Sequence, residues 1–123
     1  MEYISTASAP LAIGPYSQAI VCGNTLYASG QIPINPASGA IEAGDIKGQT
    51  EQACKNVGEV LKAAGMGFEN VVKTTCFLSD IGNFAAFNEL YAKYFVSKPA
   101  RSCVAVKDIP KGALCEIEII AVR

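Results

Sequence analysis

The sequence predicts an α+β domain in which two helices cover one face of a mixed β-sheet. Several short segments alternate apolar and polar residues, the period of a strand, and two longer ones repeat apolar residues with helical spacing. The elements follow the order strand, strand, loop, helix, strand, helix, strand, strand, which gives one sheet of five or six strands. A chain of 123 residues is one domain, spanning residues 1–123.

The first half of the chain predicts a loop, a hairpin and a second loop. Residues 7–16 carry proline and glycine and form a loop that ends at Tyr16. Residues 17–22 and 25–29 are strands that flank Gly23 and Asn24, a two-residue hairpin signal. Ser29 and Gly30 end the second strand, and a glycine there marks a place where another group approaches the backbone closely. Turn-forming pairs make residues 33–44 a loop.

The middle of the chain predicts a helix, a strand and a second helix. Asp45 caps a helix that runs to Ala64 and is stopped by Gly65. Residues 70–79 form a strand with Val72, Cys76 and Leu78 on one face and Val71 on the other, beside Lys73, Thr75 and Phe77. Residues 84–95 form the second helix, whose aromatic stripe indicates core packing and whose polar side carries Asn88.

The last quarter of the chain reads as a β-hairpin of residues 101–106 and 114–122 around a turn that contains proline and glycine. Pairing the apolar rows of the two strands would put Arg101 and Cys103 on the same face as Glu116 and Glu118. A face with charged groups among apolar residues predicts a buried surface with a polar site. The alternative is an exposed face with a surface salt bridge worth about 0–1 kcal/mol.

Composition limits the partners of this chain. Charged residues make up 17% of it, against roughly 25% in an average soluble protein. Two helices cover one sheet face only, so we expect another subunit to cover the face that carries Phe77, Ile120 and Val122. A net charge of −1 without a basic cluster argues against nucleic acid. No apolar run approaches the ~20 residues of a membrane span, and the N-terminus lacks the features of a signal peptide.

The chain contains five cysteines and no histidine. The odd number and the lack of a CxxC pair disfavour both a zinc site and a disulfide framework. Small buried thiols in a reducing cytosol explain most of these cysteines, so we expect a cytoplasmic protein. Acid–base chemistry must then use carboxylates, tyrosines, thiols, or water held by the backbone.

Four blocks of this sequence resemble the RidA (YjgF-type) family of imine deaminases, in that family's order. They are IGPY at residues 13–16, SGQIP at 29–33, VKTT at 72–75, and PARSCV at 99–104 together with EIE at 116–118. The resemblance runs from about residue 4 to the C-terminus. It implies a chorismate-mutase-like fold, a homotrimer whose sheets face inward, and sites in the clefts between subunits. It also implies hydrolysis of 2-iminoacids and their enamine tautomers, such as 2-iminopropanoate and 2-iminobutanoate, to 2-oxoacids and ammonia.

The resemblance also implies roles for individual residues. Arg101 matches the arginine that holds the substrate carboxylate, and Glu116 matches the glutamate that positions or activates water. Tyr16 matches the tyrosine of the loop that closes the cleft. Cys103 lies beside the site and contributes mainly through its backbone. The positions that complete the expected pocket are Ser29, Gly30 and Asn88.

This chain departs from many relatives in two places. The link formed by residues 96–99 is shorter than in members that have a long loop there, which affects the pocket rim and the substrate side chain. Ala105 stands where many members carry glutamate, so the charge balance between subunits differs.

The proposed chemistry suits these residue types. A carboxylate is best held by the planar fork of arginine. An iminium carbon is already electrophilic, so no metal or cofactor is expected. Cys103 as a nucleophile is disfavoured, since no histidine can activate it. Two alternatives are a trimer that binds a 2-oxoacid as a regulatory signal, and a ribonuclease or translation inhibitor, against which the acidic composition argues.

Overall fold

The computed structural model describes residues 1–123 and contains eight strands and two α-helices. The strands and helices, in chain order, are β1 (Glu2–Ile4), β2 (Ala19–Cys22), β3 (Thr25–Ala28), β4 (Ile34–Asn35), β5 (Ala40–Ile41), α1 (Ile46–Ala63), β6 (Val71–Leu78), α2 (Phe84–Tyr94), β7 (Ala100–Ala105) and β8 (Cys115–Val122).

Six of the strands form one mixed sheet in the order β1-β2-β3-β8-β6-β7, and β4 and β5 form a separate two-stranded ribbon. Every neighbouring pair in the large sheet is antiparallel except β6 and β7, which are parallel. Both helices pack on the same face, where a cluster of 22 buried residues forms the core. The predicted α+β class and the single sheet with two helices are therefore confirmed.

The predicted hairpin of the last two strands is wrong. β7 pairs with β6, and β8 pairs with β6 from the other side, so β6 lies between them. The reason is α2, which joins β6 to β7. A helical crossover returns the chain parallel to the strand it left, so β7 takes the open edge beside β6.

The true pairing also reverses the predicted face of β7. Arg101 lies opposite Thr74, and Cys103 lies opposite Cys76, whose side chain is buried under the helices. Glu116 and Glu118 lie opposite Phe77 and Thr75 and point to the other face. The prediction that Arg101 and Cys103 share a face with the two glutamates is therefore wrong within one chain.

Three smaller differences have local causes. β1 was not predicted from the sequence, because three residues are too few to show a period. The predicted loop over residues 33–44 contains the ribbon of β4 and β5. Val71 is buried and Val72 is exposed, the reverse of the prediction, because the pairing with β8 shifts register between Val71 and Lys73.

Both helices begin close to their predicted positions. The Asp45 side chain accepts a hydrogen bond of 3.0 Å from the Gly48 N–H, which satisfies a free donor of the first turn of α1. After α1, Gly65 adopts a φ of 71°, which suits glycine and ends the helix. Along α2, the side chains of Phe87, Leu90 and Tyr91 are buried, as the aromatic stripe predicts. Neither helix has the length and apolar character needed to cross a membrane.

The sheet face away from the helices, called the open face below, has no helix of the chain packed on it. Tyr27 and Val104 are 53% and 46% exposed there. The residues whose positions place them on this face are Ile20, Tyr27, Lys73, Thr75, Phe77, Ser102, Val104, Glu116, Glu118 and Ile120. Large apolar side chains on a continuous sheet surface are typical of an interface.

Candidate functional site

Arg101 is held on the helix face of the sheet by residues of α2. Its Nη1 donates a hydrogen bond of 2.7 Å to Asn88 Oδ1. Its guanidinium carbon lies 4.8 Å from the centre of the Tyr91 ring and 5.5 Å from that of Phe84. Aromatic faces attract a cation at these distances. These contacts hold the guanidinium plane in one orientation. The directions of its remaining N–H groups are therefore set without a ligand.

A cavity of about 580 Å³ opens beside this arginine. A guanidinium has five N–H donors, and Asn88 is its only protein hydrogen-bond partner. The free donors can therefore hold a carboxylate with two parallel hydrogen bonds. The lining residues are Asn88, Tyr91, Ala92, Phe95, Val96, Lys98, Pro99 and Arg101.

Glu116 lies in a second cavity, of about 420 Å³, at the open face. It is lined by Ile13, Tyr16, Ser29, Gly30, Ile32, Pro110, Glu116 and Glu118. The predicted residues Tyr16, Ser29, Gly30 and Glu116 are thus brought together. The Ser29 hydroxyl donates a 2.6 Å hydrogen bond to the Ser17 carbonyl, which ties this wall of the cavity to the preceding loop.

Gly30 allows the Glu116 carboxyl group to lie directly against the backbone. A Cβ atom at residue 30 would stand 2.7 Å from both Cδ and Oε2 of Glu116, closer than such contacts are ever found. The sequence signal of a close approach at this glycine is confirmed, and the approaching group is the carboxyl group itself.

The local environment disfavours the charged form of Glu116. Burial raises the pKa of its carboxyl group above the ordinary glutamate range, and the neighbouring Glu118 carboxylate raises this pKa further. A carboxylate with a raised pKa is a stronger base than an exposed one, which suits the removal of a proton from water.

Cys103 lines neither cavity. Its side chain packs against the core on the helix face, opposite Cys76. Burial raises the pKa of the Cys103 thiol, and the charge of Arg101 lowers it by a smaller amount. The thiolate, which is the nucleophilic form of cysteine, is therefore disfavoured at this residue.

The structure divides the predicted site residues into two groups. Arg101 and Asn88 lie on the helix face, whereas Tyr16, Ser29, Gly30 and Glu116 lie around the second cavity. β7 and β8 are separated by β6, so their backbones are about 10 Å apart. The side chains of Arg101 and Glu116 also leave the sheet in opposite directions. One small substrate cannot contact both residues of the same chain.

Sequence reasoning missed several residues around the two cavities. Tyr91 belongs to the buried aromatic side of α2, and its ring also lies against the Arg101 guanidinium, which the helical spacing alone does not signal. Lys98 adopts a φ of 50° at the rim of the first cavity, a left-handed conformation that is uncommon for lysine and that no sequence pattern signals. Ile13 and Ile32 belong to the blocks that resemble the RidA family, and both line the second cavity.

Replacing Gly30 with alanine should lower activity and leave folding largely intact. The new Cβ displaces the flexible end of Glu116, which costs little in stability because Gly30 does not have the positive φ that disfavours alanine. A displacement of about 1 Å at a reacting group can cost roughly 10²-fold in rate. The measurement is kcat/KM together with Tm.

Gly44→Ala is the matched control, because nothing lies within 4 Å of a Cβ at that residue. Unchanged kcat/KM in Gly30→Ala would show that Glu116 does not need its observed position.

Comparison with known proteins identifies the family. The family model described as endoribonuclease L-PSP matches residues 6–123, almost the whole chain. The chain belongs to the endoribonuclease L-PSP family. Among the L-PSP relatives is a Homo sapiens protein named 2-iminobutanoate/2-iminopropanoate deaminase, which is 52% identical over 98% of this chain and 88% of its own length.

Solved structures of L-PSP relatives share the fold. A protein of the Rid family from Yersinia pestis superposes with a TM-score of 0.95 at 52% identity, covering 99% of this chain and 98% of its own. E. coli TdcF, crystallised with bound serine, superposes with a TM-score of 0.95 at 41% identity, covering 100% of this chain and 99% of its own. The predicted membership of the Rid group is therefore confirmed.

Proposed function

We propose that this protein hydrolyses short 2-iminoacids, such as 2-iminopropanoate and 2-iminobutanoate, to 2-oxoacids and ammonia. The observation that carries the proposal is the 52% identity, over nearly the whole chain, with a relative that bears the name of this activity. The geometry supports it. Arg101 offers free donors for a carboxylate, and Glu116 offers a carboxylate with a raised pKa for water.

The reaction balances with water as the only co-reactant. Glu116 accepts a proton from water while the water oxygen bonds to the iminium carbon, which gives a tetrahedral carbinolamine. Glu116 returns this proton to the amino nitrogen, and the carbon–nitrogen bond breaks so that ammonia leaves with the bonding electron pair. The hydroxyl proton passes to Glu116 as the carbonyl forms. Arg101 holds the carboxylate throughout, so the protein contributes orientation and one proton-accepting group.

We infer that each complete site combines two chains of a homotrimer with the chorismate-mutase-like arrangement that the sequence resemblance implies. Arg101 and Glu116 point to opposite faces of one sheet, and a ring of copies brings the helix-face edge of one copy beside the open face of the next. The exposed apolar side chains of the open face, including Tyr27 and Val104, support burial between subunits. Cys103, in β7 beside Arg101, would lie next to this cleft.

Mixing two inactive variants tests both the assembly and the shared site. Arg101→Lys and Glu116→Gln should each be inactive alone, and unfolding and refolding them together at equal amounts should restore activity. Random assembly gives about a quarter of the wild-type rate, because a site is intact when one variant supplies Arg101 and the other supplies Glu116. The measurements are the deaminase rate and the molar mass by light scattering.

An equal mixture of wild type with the double variant, refolded in the same way, is the control. Its rate should also be about a quarter of the wild-type rate, because a site is intact only when both contributing chains are wild type. A refolded mixture of the two single variants that stays inactive contradicts the shared site. A monomer at micromolar concentration contradicts the trimer.

The description of the family model favours a second candidate, an endoribonuclease. The chain has no histidine and a net charge of −1, whereas nucleic acid binding relies on clustered cations. We expect no cleavage of single-stranded RNA under conditions that support imine hydrolysis. Cleavage that is lost in Glu116→Gln would favour the ribonuclease instead.

A regulatory trimer that only binds a 2-oxoacid would use the same two cavities. Turnover of the imine, generated by a dehydratase in a coupled assay, separates an enzyme from such a binding module. All five cysteines are free, which supports the proposal of a reducing, cytoplasmic location.

A further inference from the structure

The loop between β1 and β2 carries two residues of the Glu116 cavity, Ile13 and Tyr16. It divides into two parts. The root, residues 6–10, is attached to the rest of the chain, and Ala9 is fully buried in the core. The tip, residues 11–16, makes only internal hydrogen bonds, from Tyr16 N–H to the Gly14 carbonyl and from Ile13 N–H to the Tyr16 hydroxyl. Hydrogen bonds therefore hold the tip only through the segments at its two ends, the root and residues 17–18.

A single buried side chain, that of Gln18, supplies the hydrogen bonds that hold the root. Its Oε1 accepts a 2.7 Å hydrogen bond from Thr6 N–H. Its Nε2 donates to the carbonyl of Thr6 at 3.0 Å and to that of Pro10 at 2.7 Å, with a longer contact of 3.4 Å to that of Ala9. The residue is 4% exposed, so water does not compete for these groups.

The backbone of the same segment is joined to the opposite wall of the cavity. The Gln18 carbonyl accepts a 2.9 Å hydrogen bond from Ser29 N–H, and the Ser29 hydroxyl bonds to the Ser17 carbonyl. Ser29 precedes Gly30, against which the Glu116 carboxyl group lies. Gln18 thus links the loop root to the strand end that positions the proton-accepting group.

We propose that Gln18 is a positioning residue for the deaminase reaction, which sets the place of the Tyr16 tip relative to Glu116. It does not line the Glu116 cavity and acts through the tip. The inference rests on the proposed function. Glutamine suits the task because one planar amide both accepts from an N–H and donates to several carbonyls.

A double-mutant cycle with Tyr16→Ala distinguishes positioning from simple destabilisation. Methionine has a similar length but cannot make these hydrogen bonds, so Gln18→Met should lower kcat/KM by roughly 10²-fold. In the Tyr16→Ala background, the same change should cost no more than about twofold, since the residue through which it acts is already gone.

Asn70→Leu is the matched control. Asn70 also ties two backbone segments, accepting from Gly67 N–H and donating to the Val122 carbonyl, and it lines neither cavity. Its effect on kcat/KM should be the same in both backgrounds. If Gln18→Met also lowers kcat/KM by the same factor with and without Tyr16→Ala, the positioning role is overturned. Gln18→Asn, which keeps the amide on a side chain one methylene shorter, replaces Gln18→Met in the cycle if the methionine variant does not fold.

A crystal structure of the Gln18 variant gives a readout that does not depend on activity. The Tyr16 ring should move by about 1 Å or more relative to Glu116, enough to affect a reacting geometry. An unmoved ring overturns the inference. Absence of imine hydrolysis in the wild-type protein counts against the proposed function, while the ring position still decides the role of Gln18.

Discussion

Arg101→Lys should abolish most imine hydrolysis although it keeps the positive charge. Lysine cannot offer two parallel donors to a carboxylate, and it lacks the planar group that lies over Tyr91. Losing one partner of a charge-assisted contact typically costs about 2–5 kcal/mol, or roughly 30- to 5,000-fold in kcat/KM. The measurement is kcat/KM of the variant beside its molar mass.

Folding and assembly should survive this change. Arg101 is only partly buried at the sheet edge, and a lysine can still reach Asn88 and the aromatic rings. Arg101→Ala is the comparison, since it removes charge and packing together. A fully active Arg101→Lys protein, with only Arg101→Ala impaired, would mean that this arginine has a structural role and does not bind the substrate carboxylate.

Glu116→Gln should lower turnover by about 10²- to 10⁴-fold, the usual contribution of a general base. The amide keeps the shape of the side chain, so a 2-oxoacid should still bind. Glu118→Gln is the internal control, because Glu118 lines the same cavity and is exposed. Rates should be measured with affinity for 2-oxobutanoate.

The two variants also differ in pH dependence. Hydrolysis requires the ionised Glu116, so the wild-type rate should fall as the pH drops through a pKa above the ordinary glutamate range. Removing the Glu118 charge favours the ionised form of Glu116. The acid limb of the profile should therefore move to lower pH in Glu118→Gln. A damaging Glu118→Gln with a mild Glu116→Gln would reverse the assignment of the water-handling residue.

Local signals in the sequence predicted most of the helices and strands. The Asp45 cap, the stop at Gly65 and the hairpin at Gly23 and Asn24 each depend on residues close in sequence. The apolar row of the last strand, used above to predict its face, consists of Cys115, Ile117, Ile119 and Ala121, and all four are buried. The sequence resemblance then pointed to Arg101 and Glu116, and the structure places each of them in a cavity.

Pairing across long sequence distances could not be read in the same way. Two alternating segments around a proline and glycine turn favour a hairpin, but the parallel pairing of β6 with β7 is decided by the packing of α2. The sheet face on which Arg101 lies depends on which strand β7 pairs with. The wrong pairing therefore placed Arg101 on the same face as Glu116. The bulge between Val71 and Lys73 changes the strand period locally. Val71 and Val72 therefore lie on the faces opposite to those predicted.

The separation of Arg101 and Glu116 on opposite sheet faces has a consequence for inheritance. In the proposed trimer, a subunit defective at both residues inactivates the two clefts to which it contributes. A subunit defective at one residue inactivates only one cleft. An allele that encodes the double change should therefore interfere with a normal allele in the same cell. Two alleles with different single changes should partly complement each other.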